Sequence, residues 1–240
     1  VYAVGGLTEY DSISSIVEAY DPATNAWTTK ADLPTARQAL STSVVDGVIY
    51  AIGGALEATD QAADRWSPRR PTVPSVEAYD PATDTWVRKA DMLTARAYLS
   101  TCVMDGIIYA IGGSPDYSNA ISSVEAYDPA TDTWTAKADL PNSQTHLSTS
   151  VVNGKIYVID GGQFYPGSYG GQSVYVYDPA TDTWTTGADM PTPRVGLSTS
   201  MMDGVIYALG GWRDSYSDSL ATVEAYDPPT DSWTQKADMP

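Results

Sequence analysis

The feature that most constrains this 240-residue chain is a repeat. A Gly-Gly pair recurs at Gly5-Gly6, Gly53-Gly54, Gly112-Gly113, Gly161-Gly162 and Gly210-Gly211, at steps of 48, 59, 49 and 49 residues. A tryptophan keeps pace at Trp27, Trp86, Trp134, Trp184 and Trp233. Between each pair of marks stands a Tyr-Asp-Pro, at Tyr20, Tyr79, Tyr127, Tyr177 and Tyr226. Repeats of this length mean stacked supersecondary units, each unable to bury its apolar surface alone.

Each unit reads as four short strands. Leu40 to Val45 forms strand a, and Asp46-Gly47 marks a tight hairpin. Val48 to Ile52 forms strand b and runs into the Gly pair. After a variable loop, strand c is Val76 to Tyr79, where apolar and polar residues alternate. Asp80-Pro81-Ala82-Thr83-Asp84 supplies turn chemistry, and strand d starts near Trp86. No segment sustains a 3.6-residue apolar period, so essentially no helix is expected. Four-stranded units with bare edges hide them by stacking radially, which predicts an all-β propeller of five blades. The domain is single, 1–240, with a partial repeat over about 1–34 and repeats at 35–93, 94–141, 142–191 and 192–240. The first repeat has no strand a, so the N-terminal blade is expected to lack its innermost strand.

These marks resemble the kelch family: Gly-Gly after an apolar strand, a Tyr about six residues earlier, and a Trp about seven residues after the second Tyr. The resemblance covers the whole chain. Kelch propellers usually have six or seven blades, and an absent strand a is often supplied from the other end of the chain. Two arrangements follow, a closed five-bladed ring with one three-stranded blade, which is favoured, or part of a larger ring. A closed ring implies a monomer, and an open one leaves edges that invite self-association. The abrupt start on strand suggests a trimmed or excised piece, and the near-identical Asp-Pro-Ala-Thr-Asp-Thr-Trp copies suggest recent amplification or engineering.

Composition removes several classes of function. Thirteen basic residues against thirty acidic give a formal charge of −17, which disfavours nucleic acid and anionic membranes as partners. Apolar runs of about six residues are too short to span a membrane. One histidine and one cysteine argue against a zinc site, and no cofactor or metal is expected. Cys102 fills a place taken by Ser43, Ser150 and Ser200 in other repeats, so it reads as an inert buried thiol. The acidic c–d turns lack the ligand density of a calcium loop and read as turn formers.

Antiparallel connection places the a–b and c–d turns on one rim and the b–c and d–a loops on the other. Seven of the eight arginines fall on the second: Arg37, Arg96 and Arg194 before strand a, and Arg65, Arg69, Arg70 and Arg213 in b–c loops. A carboxylate-bearing partner would suit such a face, because arginine makes planar bidentate contacts. The competing reading pairs the three recurrent arginines with the recurrent Asp32, Asp91, Asp139, Asp189 and Asp238. Residues that vary between repeats carry more functional information, since the scaffold does not require them. In peptide-binding kelch proteins the pocket comes from b–c loops and strand-a starts. The resemblance therefore implies Arg37, Gln38, Arg96, Tyr98, Gln144, His146, Arg194 and Trp212 around a central mouth. The longest b–c loop, in the second repeat, adds Arg65 and Trp66.

The leading expectation is a non-catalytic scaffold binding a protein or peptide, with an acidic partner suited to the arginine face. A carbohydrate- or small-acid-binding protein or enzyme using the mouth is the alternative, and an engineered or structural propeller without a ligand is a third. No catalytic constellation is visible, since His146 has no evident acid or nucleophile partner in the sequence. The copper oxidases of the fold need two histidines, and this chain has one.

Overall fold

In the computed structural model, residues 1–8, 12–58, 70–159, 161–162, 170–213 and 219–240 are described. They build five antiparallel sheets, one per repeat, arranged as the blades of a β-propeller. Blade 1 has three strands, β1 (Tyr2–Leu7), β2 (Ile13–Asp21) and β3 (Ala26–Thr29). Blade 2 has β4 (Ser41–Val45), β5 (Val48–Ile52), β6 (Val76–Asp80) and β7 (Thr85–Lys89). Blade 3 has β8 (Ser100–Met104), β9 (Ile107–Ile111), β10 (Val124–Asp128) and β11 (Thr133–Lys137). Blade 4 has β12 (Ser148–Val152), β13 (Lys155–Ile159), β14 (Val174–Asp178) and β15 (Thr183–Gly187). Blade 5 has β16 (Ser198–Met202), β17 (Val205–Leu209), β18 (Val223–Asp227) and β19 (Ser232–Gln235). The described residues contain no helix, as the absent 3.6-residue period predicts.

Strand a is innermost, and its small residues are what let neighbouring blades approach at the axis. Ser41 meets Thr101, Ser100 meets Thr149 and Ser148 meets Thr199, each pair of hydroxyls 2.8 Å apart. These hydroxyls satisfy one another where larger side chains would clash.

Between blades, the repeated marks form one staple used four times. The strand-c tyrosines Tyr79, Tyr127, Tyr177 and Tyr226 are buried. Each lies 5.8–6.0 Å from a strand-b tyrosine of the preceding blade, Tyr2, Tyr50, Tyr109 and Tyr157 respectively. Each also stacks on its own blade's tryptophan at 4.9–5.1 Å. Trp86, Trp134, Trp184 and Trp233 donate their indole N–H to Ala31, Ala90, Ala138 and Ala188 of the preceding blade. The same alanines donate their backbone N–H to Asp84, Asp132, Asp182 and Asp231. Each of these carboxylates also accepts the blade's own tyrosine hydroxyl. The acidic turns are thus turn formers, as expected, and four of their aspartates also lock adjacent blades together.

In blade 4 the register departs from the Gly-Gly alignment by one residue. Ser148 pairs with Ile159 as Ser41 pairs with Ile52, and Thr145 N donates to Gly162 O as Gln38 N donates to Ala55 O, so Gly161 holds the place of Gly54.

Candidate functional site

The three recurrent arginines do not form a binding face. Arg37, Arg96 and Arg194 are each 0% exposed, turned into the blades. Their partners are Glu77, Glu125 and Glu224 on strand c of the same blade, not the aspartates at the ends of strand d. Arg37 Nη1 lies 2.6 Å from Glu77 Oε2, and its Nη2 donates to the Ala51 carbonyl at 2.9 Å. Arg96 Nη1 donates to the carbonyls of Gly112 and Ser123, and Arg194 Nη1 to those of Gly210 and Thr222. Burial pulls each guanidinium's pKa down, and the facing glutamate opposes that pull. A buried arginine needs such saturation, because an unpaired interior charge is costly.

The physical reason for the correction lies in strand c. Glu77, Glu125 and Glu224 alternate with apolar residues and read as solvent-facing, yet each shares a strand face with Tyr79, Tyr127 or Tyr226, which packs against the preceding blade. All three glutamates are buried. Blade 4 breaks the pattern in a coordinated way. Gln144 stands where the others have arginine, Tyr175 where they have glutamate, and Asn142 where they have threonine. Asn142 Nδ2 donates to the Tyr175 hydroxyl at 2.7 Å, replacing the Thr–Glu contact seen at 2.8 Å from Thr35 to Glu77. Gln144 is buried, and its side-chain carbonyl has no hydrogen-bond partner among the described residues.

What gathers at the mouth is the set of residues that vary. Successive strand-a starts place Ala39, Tyr98, His146 and Gly196 at one repeat position, all with positive φ, 51°, 55°, 57° and 63°. Their backbones form a run around the axis. Tyr98 N donates to Ala39 O, His146 N to Tyr98 O and Gly196 N to His146 O, at 2.9–3.3 Å. Left-handed backbone is disfavoured for a tyrosine or histidine, so its cost is offset by this inter-blade bonding.

Tyr98 and His146 stack at 4.2 Å with 25° between planes, and Tyr117 meets Tyr98 edge-on at 5.2 Å. With its side-chain oxygen facing the pair, Gln38 accepts from Tyr117 Oη at 3.1 Å and from Arg70 Nη1 and Nε at 3.2 Å. Arg70 is also buried, 3.8 Å from Glu57. Burial lowers the His146 pKa to about 4, so its ring is neutral at pH 7. Its Nδ1 sits 3.1 Å from Thr145 Oγ1. In blade 5 the indole of Trp212 covers Gly196, where an added Cβ would lie 2.2 Å from the ring, and Trp212 bridges to Val195. Glycine at this position leaves room for the indole.

The structure therefore brings together Gln38, Tyr98 and His146 from the expected set, and places Trp212 over Gly196, whose N–H donates to the His146 carbonyl. It withdraws Arg37, Arg96, Gln144 and Arg194 into the blades, while Arg65 and Trp66 lie outside the described residues. Tyr117 and Arg70 join the cluster, having been legible only as members of b–c loops. Cys102 is buried and its thiol pKa is pushed up to about 12 by burial, which fits an unreactive side chain. Among the described residues no group of three or more His, Cys, Asp or Glu is placed to hold a metal, and no helix is long and apolar enough to cross a membrane.

Five antiparallel blades stapled by repeated Tyr, Trp and Asp residues define a β-propeller. The family model for the kelch motif matches residues 1–34, 95–141, 145–191 and 193–240, and the chain belongs to the kelch family. Blade 2 lies outside the matched stretches, yet its strands pair in the same register as the others. Similar proteins include Kelch-like ECH-associated protein 1B of Danio rerio, 33% identical over 114 residues, which are 48% of this chain and 18% of that protein. Kelch-like protein 36 of Rattus norvegicus is 34% identical over 119 residues, 50% of this chain and 18% of that protein. Alpha-scruin of Limulus polyphemus is 29% identical over 114 residues, 48% of this chain and 12% of that protein. The matched stretch spans less than a fifth of each of these relatives.

Proposed function

We propose that this propeller is a non-catalytic scaffold that binds a protein or peptide at the mouth lined by Gln38, Tyr98, Tyr117, His146 and Trp212. The observation that supports this reading is a division of labour. Residues that recur across repeats are consumed in staples and buried ion pairs, while several that vary gather at the strand-a starts. Tyrosine, tryptophan and histidine there offer large, rigid contact area with polar tips, the composition of interaction hot spots. The name of the Danio rerio relative records an association with another protein, which agrees with a role in binding.

The case for an acidic partner loses its main support, because three of the arginines behind it are already neutralised by glutamates. The mouth favours a ligand that stacks on aromatic rings. His146 is a poor general base for turnover near neutral pH, since the base strength of a group with pKa about 4 is low.

Panning a random twelve-residue peptide library against the chain tests the reading. Enriched peptides should lose at least about tenfold in affinity toward a Tyr98→Asn/His146→Asn variant, asparagine being tolerant of positive φ. Equal binding to that variant removes the mouth as the contact surface.

A further inference from the structure

The structure assigns a modification site on the rim opposite the mouth, at Asn153-Gly154, where spontaneous loss of ammonia turns the side-chain amide into a carboxylate. Asparagine deamidates when the backbone nitrogen of the next residue attacks its side-chain carbonyl carbon. The reaction is favoured by a small following residue, a carboxamide held by nothing, and a backbone nitrogen not committed to a hydrogen bond. All three conditions meet at one of the chain's four asparagines.

Only Asn153 is followed by glycine, whereas Asn25, Asn119 and Asn142 precede Ala26, Ala120 and Ser143, whose side chains crowd the attacking nitrogen. Those three also have their carboxamides engaged. Asn25 Oδ1 accepts from the Tyr20 hydroxyl at 2.8 Å, Asn119 Nδ2 donates to Asp116 Oδ2 at 2.7 Å, and Asn142 Nδ2 donates to the Tyr175 hydroxyl. The Asn153 carboxamide is exposed and makes no hydrogen bond among the described residues. Gly154 N–H is uncommitted too, because the ladder closes at Val152 and Lys155 on either side of the two-residue loop. A Cβ built on Gly154 meets nothing within 4 Å, so the approach is open.

The fold also has a place ready for the product. The a–b turns of blades 2, 3 and 5 are Asp46-Gly47, Asp105-Gly106 and Asp203-Gly204, in the same register as Asn153-Gly154. Their aspartates have φ of 49°, 51° and 53° against 51° for Asn153, and their glycines 80°, 77° and 80° against 72° for Gly154. Positive φ at both loop residues is the type I′ pattern, which Asn-Gly and Asp-Gly both favour. Blade 4 thus carries the amide form of a turn that three other blades hold as the acid.

The step needs no co-reactant but water. Gly154 N loses its proton and bonds to Asn153 Cγ, and ammonia leaves Cγ to give a five-membered succinimide. Water then opens the ring. Cleavage of the Cγ–N bond restores the normal backbone with aspartate at 153, which reproduces the other three turns. Cleavage of the bond from the backbone carbonyl carbon to nitrogen gives isoaspartate, with an extra methylene in the main chain. That product lengthens the tight loop between β12 and β13 and loosens their pairing. β12 lies at the axis, where Ser148 and Ser150 bond to Thr199 of blade 5.

The test incubates the full chain at pH 8.5 and 37 °C beside a synthetic peptide of residues 148–158, and follows both by peptide mapping with mass spectrometry. An exposed two-residue loop opens at little cost, so at least half of the chains should be converted at Asn153 within about ten half-lives of the peptide. Released ammonia should approach one per chain and disappear in the Asn153→Asp variant. A chain less than half converted by then, or one modified first at Asn25, Asn119 or Asn142, overturns the proposal. The Asn153→Asp variant should also unfold within about 2 °C of the parent chain, and a larger fall overturns the readiness of the turn for its product.

Discussion

Replacing Arg96 with glutamine strands Glu125 in the interior of blade 3. Both side chains are buried, and Arg96 additionally saturates the carbonyls of Gly112 and Ser123. Removing one member of a buried pair costs about 3–5 kcal/mol, because the remaining charge stays desolvated. For a chain of this length each kcal/mol moves the melting temperature by about 2–4 °C, so a fall of roughly 10 °C is expected for Arg96→Gln. Blade 4 shows how the same site is satisfied without charge. The triple change Thr94→Asn, Arg96→Gln, Glu125→Tyr installs the Asn142, Gln144 and Tyr175 arrangement in blade 3 and should recover at least half of the loss. Thermal unfolding followed by circular dichroism reads both steps. A single-variant loss below about 1 kcal/mol, the range of an exposed ion pair, refutes the interior placement of Arg96. A triple variant no more stable than the single one refutes the equivalence of the two arrangements.

Other outcomes follow from the staples and the mouth. Asp132→Asn weakens a carboxylate that accepts both the Ala90 N–H and the Tyr127 hydroxyl, and should cost about 1–2 kcal/mol in urea denaturation. The pKa values of Asp84, Asp132, Asp182 and Asp231 are lowered, chiefly by the neighbouring backbone N–H for the first two and by the tyrosine hydroxyl for the last two. Their contribution is therefore present above the ordinary carboxylate pKa and lost as pH falls below it, so acid unfolding should shift to higher pH in Asp132→Asn. His146 acts in a different window. Its folded pKa of about 4 lies below the ordinary 6.5, so stability is complete above pH 6.5 and declines toward pH 4, by up to about 3 kcal/mol. His146→Asn should remove that slope, as denaturant titrations at pH 4.5 and 7 would show.

The strands, hairpin turns and blade count were readable because Gly-Gly, Asp-Gly and Tyr-Asp-Pro have local geometric meanings that repeat in register. The fate of Arg37, Arg96 and Arg194 was not. Arginine is seldom fully buried, and alternation in Val-Glu-Ala-Tyr signals a half-exposed strand. Only the preceding blade, packed against the face of β6, β10 and β18 that carries them, turns those glutamates into interior partners. The double role of Asp84 and its counterparts was hidden likewise, since the turn they form is local and the alanine they bind lies 42–53 residues away. At the mouth, Tyr98, His146 and Trp212 were legible as departures from the repeat. Tyr117 and Arg70 depend on how b–c loops fold back, which no periodicity encodes. In blade 4, the repeated Gly-Gly spelling concealed a one-residue shift that strand pairing reveals.

Oxidative footprinting of the chain with and without a panned peptide bears most directly on the claim that varying residues bind while repeated ones hold the blades together. Protection should concentrate on Tyr98, Tyr117 and Trp212, leaving the c–d rim tryptophans Trp86, Trp134 and Trp184 unchanged. Protection confined to the rim, with the mouth aromatics unaltered, contradicts it.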